Sequence, residues 1–218
     1  MSQSLIILGA SGNAYDVLDI IDAINSRSQT WKVAGFLDDA CKQGSRYLGF
    51  PVLGGITDAP SLKDCWFINA IGSDSTFRRR ATIVKRSGVD PGRFATLVHP
   101  GSCVSARARL GVGVCVNHGA SLAGDVAVGD HVSIGPLAII GHNSVIDDHS
   151  ILAPAAVVSG FAQIGRSCYL GAASSIRQRI SVGDEVLVGM GAVVVRNVPA
   201  KTTVVGNPAR PLESRAVV

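Results

Sequence analysis

The second half of the chain repeats one aliphatic residue every six positions. Sixteen successive steps of six, starting at residue 104, all meet Leu, Ile or Val: Val104, Leu110, Val116, Leu122, Val128, Ile134, Ile140, Ile146, Leu152, Val158, Ile164, Leu170, Ile176, Val182, Val188 and Val194. A period of six is neither the 3.6-residue period of an α-helix nor the alternation of an isolated strand. It fits a prism whose flat faces are short strands, each with one aliphatic residue pointing inward.

Small residues accompany this repeat. Glycine follows the aliphatic residue at half of the sixteen positions, and Ala or Ser mostly stands two positions before it. We therefore expect tight corners eased by glycine or small residues, with three faces completing a coil of 18 residues. The repeat does not slip before about residue 197, which predicts about five coils without an inserted loop. Residues 18 apart should then stack at about the 4.8 Å strand spacing.

The first part of the chain follows a different pattern. An apolar run at 5–8 leads into Gly9 and Gly12, and apolar residues at helical spacing follow over 16–24. Further strands are predicted at 33–37 and 65–71 and a helix at 76–87, which together make a small Rossmann-like α/β unit. The glycine turn can offer backbone amides to a phosphate, although packing alone explains the same glycines. We assign residues 1–96 to this unit and residues 97–218 to the β-helix with a C-terminal tail.

Composition narrows the functional classes. The net charge of +4 is modest, and the one run of like charge, Arg78 to Arg80, is interpreted as a solvated helix face, so we expect no nucleic-acid partner. The five cysteines show no CxxC spacing, and the chain begins directly with a strand, which favours a reducing cytoplasm. No apolar run approaches the roughly 18 residues that a membrane span requires.

Several short motifs, in this order, resemble one family of enzymes. They are Ile6-Ile7-Leu8-Gly9-Ala10-Ser11-Gly12, Gly35-Phe36-Leu37-Asp38-Asp39, Pro51-Val52-Leu53-Gly54-Gly55, Ala70-Ile71-Gly72, Leu97-Val98-His99-Pro100, Gly141-His142 and Gly206-Asn207-Pro208-Ala209-Arg210. Together with the hexads they resemble the bacterial hexapeptide-repeat sugar acyltransferases, which include sialic-acid O-acetyltransferase-like and nucleotide-amino-sugar N-acetyltransferase proteins. The fold of this family is a left-handed parallel β-helix, and the handedness expected here comes from the resemblance.

The resemblance implies a homotrimer in which acetyl-CoA, the co-substrate, lies along the β-helix between neighbouring subunits. A nucleotide-linked sugar is expected in the α/β unit, and no metal is expected. Residues that match the family's nucleotide-sugar motif are Gly9, Ser11, Gly12, Asp38 and Asp39. His142 matches its catalytic base, and Gly160, Ala172, Gly189 and Met190 match positions at which its backbone meets the pantetheine arm.

His142 is also a candidate on physical grounds. Histidine is the side chain that accepts a proton most readily near neutral pH, as acetyl transfer requires. The residues 18 before and 18 after it are Gly124 and Gly160, so we expect a notch beside the imidazole without stacked side chains. The next residue is Asn143, where the family usually has a carboxylate. Asp147 or Asp148 is considered as a substitute for that carboxylate.

The chain departs from the family at two further positions, with Ile151 and Asn13 where histidine is common. His131 and His149 are expected to stack as solvated residues beside an Asp column, and His118 is assigned to the surface or to trimer packing. Cys168 is interpreted as a small packing residue.

Four functions remain in view. We expect N-acetylation of a nucleotide-linked amino sugar, and the alternatives are O-acetylation of a sialic-acid-type sugar and a catalytically degenerate trimeric sugar-binding scaffold. A zinc carbonic anhydrase would need three converging histidines, of which His131 and His149 supply two.

Overall fold

The structure, a computed structural model, describes residues 2–212. The end of the expected C-terminal tail, residues 213–218, lies outside the described residues. The N-terminal α/β unit has a five-stranded sheet, and the remainder of the described chain winds into a left-handed parallel β-helix.

The α/β sheet has the order β3-β4-β2-β1-β5. Its strands are β1 (Gln3–Leu8), β2 (Trp31–Leu37), β3 (Arg46–Tyr47), β4 (Phe50–Gly54) and β5 (Cys65–Asn69). The strands β1, β2, β4 and β5 are parallel. Parallel pairing was expected for β1, β2 and β5, whereas β4 and its antiparallel hairpin with β3 were not predicted. Helix α1 (Asn13–Arg27) follows the glycine turn, and α2 (Arg80–Arg86) follows a 3-10 turn at Phe77–Arg79. Two further 3-10 turns lie at Ile56–Ser61 and Pro91–Arg93.

The β-helix has three faces. Face A contains Leu97–Val98, Cys115–Val116, Ser133–Ile134, Ile151–Leu152, Tyr169–Leu170, Leu187–Val188, Thr203–Val205 and the antiparallel Arg210–Pro211. Face B contains Cys103–Val104, Ser121–Leu122, Ile139–Ile140, Val157–Val158, Ser175–Ile176 and Val193–Val194. Face C contains Arg109–Leu110, Ala127–Val128, Val145–Ile146, Gln163–Ile164 and Ser181–Val182. The chain passes from A to B to C in each coil, so we name the corners AB, BC and CA.

The hexad positions form the core of the β-helix. Fourteen of the sixteen predicted aliphatic residues are buried, and Val104 and Leu110, in the first coil, are half-buried. Equivalent strands pair in parallel at a separation of 18 residues, as Ser121 does with Ile139. Each buried aliphatic side chain contributes roughly 1.5–3 kcal/mol of hydrophobic stabilisation, so the repeat itself carries the fold.

Glycine eases the corners for a different reason from the one expected. The left-handed backbone conformation falls three residues after fourteen of the sixteen aliphatic residues and is mostly occupied by residues with side chains, such as Asn143 at φ 58° and Phe161 at φ 60°. The glycines directly after the aliphatic residues instead permit close stacking of coils. A Cβ on Gly135 would lie 2.7 Å from the carbonyl oxygen of Leu152, and one on Gly141 would lie 2.5 Å from the amide nitrogen of Gly160.

The α/β unit lies against face A. The Arg78 guanidinium donates to the carbonyl oxygen of Glu185 at 2.9 and 3.1 Å, and Arg80 donates to that of His131 at 2.6 Å. Phe77 packs against Tyr169 with ring centroids 5.9 Å apart. The outer surfaces of faces B and C are therefore the ones left uncovered by the α/β unit.

Candidate active site

His142 lies at the BC corner, and its imidazole is held from two sides. Its Nδ1 atom is 3.0 Å from Oδ1 of Asn143, and the ring meets Phe161 edge to face with centroids 5.0 Å apart. Both Asn143 and Phe161 have left-handed backbone, which carries their side chains beside the imidazole. When Nδ1–H donates a hydrogen bond to the amide oxygen of Asn143, Nε2 keeps its lone pair and is able to act as a base.

The expected notch is only partly present. The imidazole itself lies over Gly160, where a Cβ would come within 3.1 Å of Nε2. On the opposite side, the space beside Gly124 is filled by the guanidinium of Arg107, which pairs with Asp125 at 3.4 Å. The expectation of a gap on both sides is therefore wrong, because a long side chain from the preceding coil reaches into the Gly124 side. A side chain at residue 160 would require the imidazole to move by a few tenths of an ångström.

Neither Asp147 nor Asp148 replaces the missing carboxylate. The side chains of both lie near Arg166, at 3.6 and 3.8 Å, and Asp148 also accepts the amide of Asp130 at 2.9 Å. They lie at the CA corner, away from the BC corner of His142. The idea that Asp147 or Asp148 takes the place of the carboxylate that the family usually has after the histidine is therefore wrong for this chain.

The four residues matched to the pantetheine arm do not come together in one chain. Gly160 lies at the BC corner with His142, whereas Ala172 and Met190 lie at the AB corner and Gly189 directly follows a face A strand. The Met190 side chain is 80% exposed. The two sets therefore lie at separate edges of the prism, on either side of face B.

The glycine turn is built around Gly9, which has φ +102° and lies so close to Ile71 that a side chain would collide with it. Gly12 precedes the first turn of α1, and Ser11 and Gly12 are exposed. The Asp38 carboxylate accepts the amides of Ala10 at 2.8 Å and Ala40 at 2.7 Å. This side chain therefore ties the turn to the loop after β2.

Asp39 and two arginines line a cavity at the carboxyl ends of β2 and β5. The Asp39 carboxylate accepts the amide of Ile56 at 2.8 Å and pairs with Arg86 at 3.0 Å. The cavity measures about 250 Å³, and its walls include Asp38, Asp39, Thr76, Arg79 and Arg86. Of the predicted sugar-binding residues, only the two aspartates line it directly.

Sequence reasoning missed the arginines of this region. The expectation that Arg78, Arg79 and Arg80 form a solvated face holds for Arg78 and Arg79, which are exposed, and is wrong for Arg80, which is 2% exposed. Arg79 and Arg86 are seven residues apart and so share one side of the α2 segment, a signal that was available in the sequence.

His131 and His149 stack as predicted, with ring centroids 5.1 Å apart and an angle of 2° between planes. His131 is not solvated, however, because it is 5% exposed and meets Phe94 edge to face at 4.6 Å. Burial, together with the neighbouring His149 and Arg80, lowers the pKa of His131 to about 4. Burial likewise lowers the pKa of His149.

Two other expectations concern packing. Cys168 is buried, as expected for a packing residue, and burial raises the pKa of its thiol to about 11. His118 is exposed and lies 5.9 Å from His99 between ring centroids.

Within residues 2–212, no cluster of three or more His, Cys, Asp or Glu side chains is arranged to hold a metal ion. None of the helices in the same range has the length and apolar character needed to cross a membrane.

Comparison with known proteins agrees with this architecture. The family described as the PglD N-terminal domain matches residues 4–86. The curated relatives include serine acetyltransferase 3 of Arabidopsis thaliana, 32% identical over 54% of this chain and 26% of its own length. Serine acetyltransferase of Synechococcus elongatus is 33% identical over 62% of this chain and 50% of its own length. The chain therefore spans between about a quarter and a half of the curated relatives that it matches.

Two solved structures are similar over nearly the whole chain. The acetyltransferase domain of PglB from Neisseria gonorrhoeae, in complex with acetyl coenzyme A, has 30% identity and a TM-score of 0.83, covering 97% of this chain and 100% of that one. A histidine-to-asparagine mutant of perosamine N-acetyltransferase from Caulobacter crescentus, in complex with CoA and GDP-perosamine, has 26% identity and a TM-score of 0.83, covering 97% of both chains. With this identity and full coverage, the chain belongs to the bacterial hexapeptide-repeat sugar acetyltransferases.

Proposed function

We propose that the protein transfers the acetyl group of acetyl-CoA directly to the amine of a nucleotide-linked amino sugar, with His142 as general base. The observation that carries this proposal is the 3.0 Å contact between Nδ1 of His142 and Oδ1 of Asn143. An amide oxygen can only accept, so this contact favours the tautomer with the proton on Nδ1 and a lone pair on Nε2. Similar structures were solved with acetyl coenzyme A, or with CoA and GDP-perosamine.

In the proposed reaction the acceptor nitrogen attacks the thioester carbonyl, so a C–N bond forms and the C–S bond breaks. Nε2 of His142 takes the proton that the nitrogen loses, and the sulfur leaves as the CoA thiolate. The backbone amide at Gly160 is our candidate donor to the developing oxyanion. Asn143 orients the imidazole but adds no negative charge to stabilise the imidazolium.

We propose that a complete site combines residues of two copies of the chain, in a homotrimer. His142 and Gly160 belong to the BC corner, whereas Ala172, Gly189 and Met190 belong to the region of face A and the AB corner. Face B lies between these corners. Leu137 and Ile139, at its edge, are 59% and 47% exposed, which favours a subunit contact there.

We propose that the nucleotide end of the acceptor binds in the α/β unit, residues 1–96, and that acetyl-CoA binds along the β-helix of residues 97–218. The cavity that Asp38 and Asp39 line lies at the carboxyl ends of the strands, where ligands of open parallel sheets bind. Gly9, Ser11 and Gly12 form the turn beside it. The reaction is assigned to the cytoplasm, where acetyl-CoA and nucleotide sugars meet.

The test is thiol release from acetyl-CoA with a panel of UDP-, GDP- and dTDP-linked amino sugars and free sialic acid. Turnover of one nucleotide-linked amino sugar that is lost in His142→Ala supports the proposal. Turnover of sialic acid alone would assign the protein to O-acetylation. Failure to bind acetyl-CoA would assign it to a sugar-binding scaffold.

Complementation tests the shared site. His142→Ala damages the BC corner and Ala172→Trp obstructs the AB corner, so each variant alone should be inactive. In the proposed trimer each site combines the BC corner of one subunit with the AB corner of another. When the two variants mix at random, about a quarter of these sites combine an intact His142 with an intact Ala172. Recovery of about a quarter of the activity is expected, whereas an inactive mixture would mean that each site lies within one chain.

A further inference from the structure

A narrow cleft separates the α/β unit from face A, and it is distinct from the cavity beside Asp38 and Asp39. Its volume is about 80 Å³. Asn13 and Asp16 of α1 lie at its more exposed side, and buried Asn69, Arg80 and Asn117 lie at its inner end. The cleft also touches Pro136 and Pro154, which precede Ala172 and Met190 in the same column of the AB corner. It therefore lies next to the path that we propose for acetyl-CoA.

The inner end carries hydrogen-bond donors that the protein leaves without acceptors. Arg80 donates to the carbonyl oxygens of Ile71 and His131, but its Nε has no acceptor among residues 2–212. Asn69 accepts the amide of Ile71 through Oδ1, while its Nδ2 has no acceptor in that part of the chain. Arg80 and Asn69 are only 2% and 3% exposed. Buried donors without acceptors destabilise a protein, so a ligand that accepts from them gains affinity.

The charge of Arg80 is also uncompensated. No carboxylate of residues 2–212 forms an ion pair with it. Burial lowers the pKa of Arg80 to about 10, which leaves it a cation at neutral pH. The thiol of Cys115, which also lines the cleft, gives no negative charge because burial raises its pKa to about 12.

Asp16 is the one carboxylate of the cleft, and it does not pair with Arg80. It is half-buried on α1, and burial and Asp19 raise its pKa. The inner end thus presents two buried donors, the cationic Arg80 and the neutral Asn69. A negatively charged acceptor would pair with both and would balance the charge of Arg80.

We propose that the inner end of this cleft binds the carboxylate of an acidic acceptor sugar, with Arg80 Nε and Asn69 Nδ2 as its hydrogen-bond donors. The inference rests on the proposed function and narrows its substrate class to amino sugars that carry a carboxylate. The volume suits a carboxylate and the adjoining part of a sugar ring, and it is far too small for a nucleotide. The nucleotide therefore remains outside, toward the cavity beside Asp38 and Asp39.

The first measurement compares kcat/KM for two nucleotide-linked amino sugars that differ only in a ring carboxylate or hydroxymethyl group. A charge-assisted hydrogen bond predicts a preference of about tenfold or more for the acidic sugar. Equal kcat/KM values would overturn the inference and leave the proposed function intact. No thiol release with any acceptor would instead overturn the proposed function, and the second measurement then decides on the cleft.

The second measurement follows the thermal midpoint of unfolding in sodium formate and in sodium chloride at equal ionic strength. Formate should raise the midpoint more than chloride does, and the acidic sugar should displace the bound formate. Equal midpoints in the two salts would overturn the inference. Stabilisation by formate without any preference for the acidic sugar would assign the cleft to a free anion, which also overturns it.

Asn69→Asp is the decisive variant, since it keeps Oδ1 for the amide of Ile71 and supplies a carboxylate to the cleft. It should abolish the preference for the acidic sugar and the effect of formate, without requiring removal of Arg80 from the core. The matched control is Asn197→Asp, the same change at an exposed asparagine. A preference that survives Asn69→Asp would contradict the assignment of Asn69.

Discussion

The Nδ1 atom of His142 lies 3.0 Å from the carboxamide oxygen of Asn143, in a pair formed by adjacent residues at one corner of the β-helix. The left-handed backbone of Asn143 makes this contact possible, since it turns a short side chain back toward its neighbour. The pair orients the imidazole by a neutral hydrogen bond.

Removal of the imidazole should abolish most of the catalysis. His142→Ala is expected to lower kcat by about 10²–10⁴, the usual contribution of a general base, and to leave the Kd for acetyl-CoA nearly unchanged. Steady-state kinetics and calorimetric titration measure the two effects. Gln163→Ala, an exposed side chain on face C, serves as control and should retain kcat. A His142→Ala protein with near-native kcat would exclude the proposed base.

Asn143→Asp should raise the activity. The carboxylate would stabilise the imidazolium by charge, which raises the pKa of the base and is expected to raise kcat severalfold, up to about tenfold. Aspartate also tolerates the left-handed backbone of this corner. The pH profile of kcat distinguishes this effect from a structural one, because its acidic limb should move to higher pH. Asn143→Ala should lower kcat, and an unaltered profile in both variants would mean that the pair does not act on the base.

Acid should destabilise the protein through His131. Its pKa is about 4 in the folded protein against an ordinary value of 6.5, so the unfolded chain binds more protons between these values. The free energy of unfolding should therefore fall as the pH is lowered from about 6.5 to about 4, by on the order of 1–3 kcal/mol. The same direction holds for His149, while the nearby carboxylates of Asp130 and Asp148 oppose it.

Urea unfolding at a series of pH values measures this dependence. His131→Asn, which suits the left-handed backbone, should flatten the curve, whereas His118→Asn at an exposed position should leave it unchanged. An equally steep curve in His131→Asn would place the acid-sensitive group elsewhere.

A side chain that disturbs the close stacking of coils should destabilise the protein more than a side chain placed on a left-handed backbone position. In Gly165→Ala the new Cβ would lie 2.8 Å from the amide nitrogen of Asp184, and the overpacking is expected to cost about 1–3 kcal/mol or more. Gly191→Ala has open space around its Cβ but φ +66°, so it should cost about 1–2 kcal/mol. Denaturant midpoints compare the two, and a milder effect for Gly165→Ala would show that neighbouring coils separate easily.

Much of the fold was predictable because the repeat is local. The spacing of Val116, Ile134 and Leu152 fixes one buried residue on each pass of face A, and the structure buries all three completely. The strands β1, β2 and β5 were likewise identified from apolar runs and glycine turns. The β3–β4 hairpin was missed, because its two short strands carry no clear alternation of polar and apolar residues.

The candidate site was predicted only in part. His142 and Asn143 are adjacent in sequence, so their pairing needed no long-range information. The burial of Arg80 and His131 was not predicted, because it results from the α/β unit resting on face A. Arg107 covering Gly124 was missed for a related reason, since coil arithmetic gives the position of a Cα and not the reach of a long side chain.

The sequence by itself determined the three-sided prism, its core residues and the corner at which each candidate residue lies, because a constant six-residue spacing translates directly into position. Only the tertiary structure decided which side chains meet. It enclosed Arg80 and Asn69 in one cleft and placed His131 against Phe94. These relationships depend on how one packed unit rests on another, and residues far apart in sequence carry no local signal of that contact.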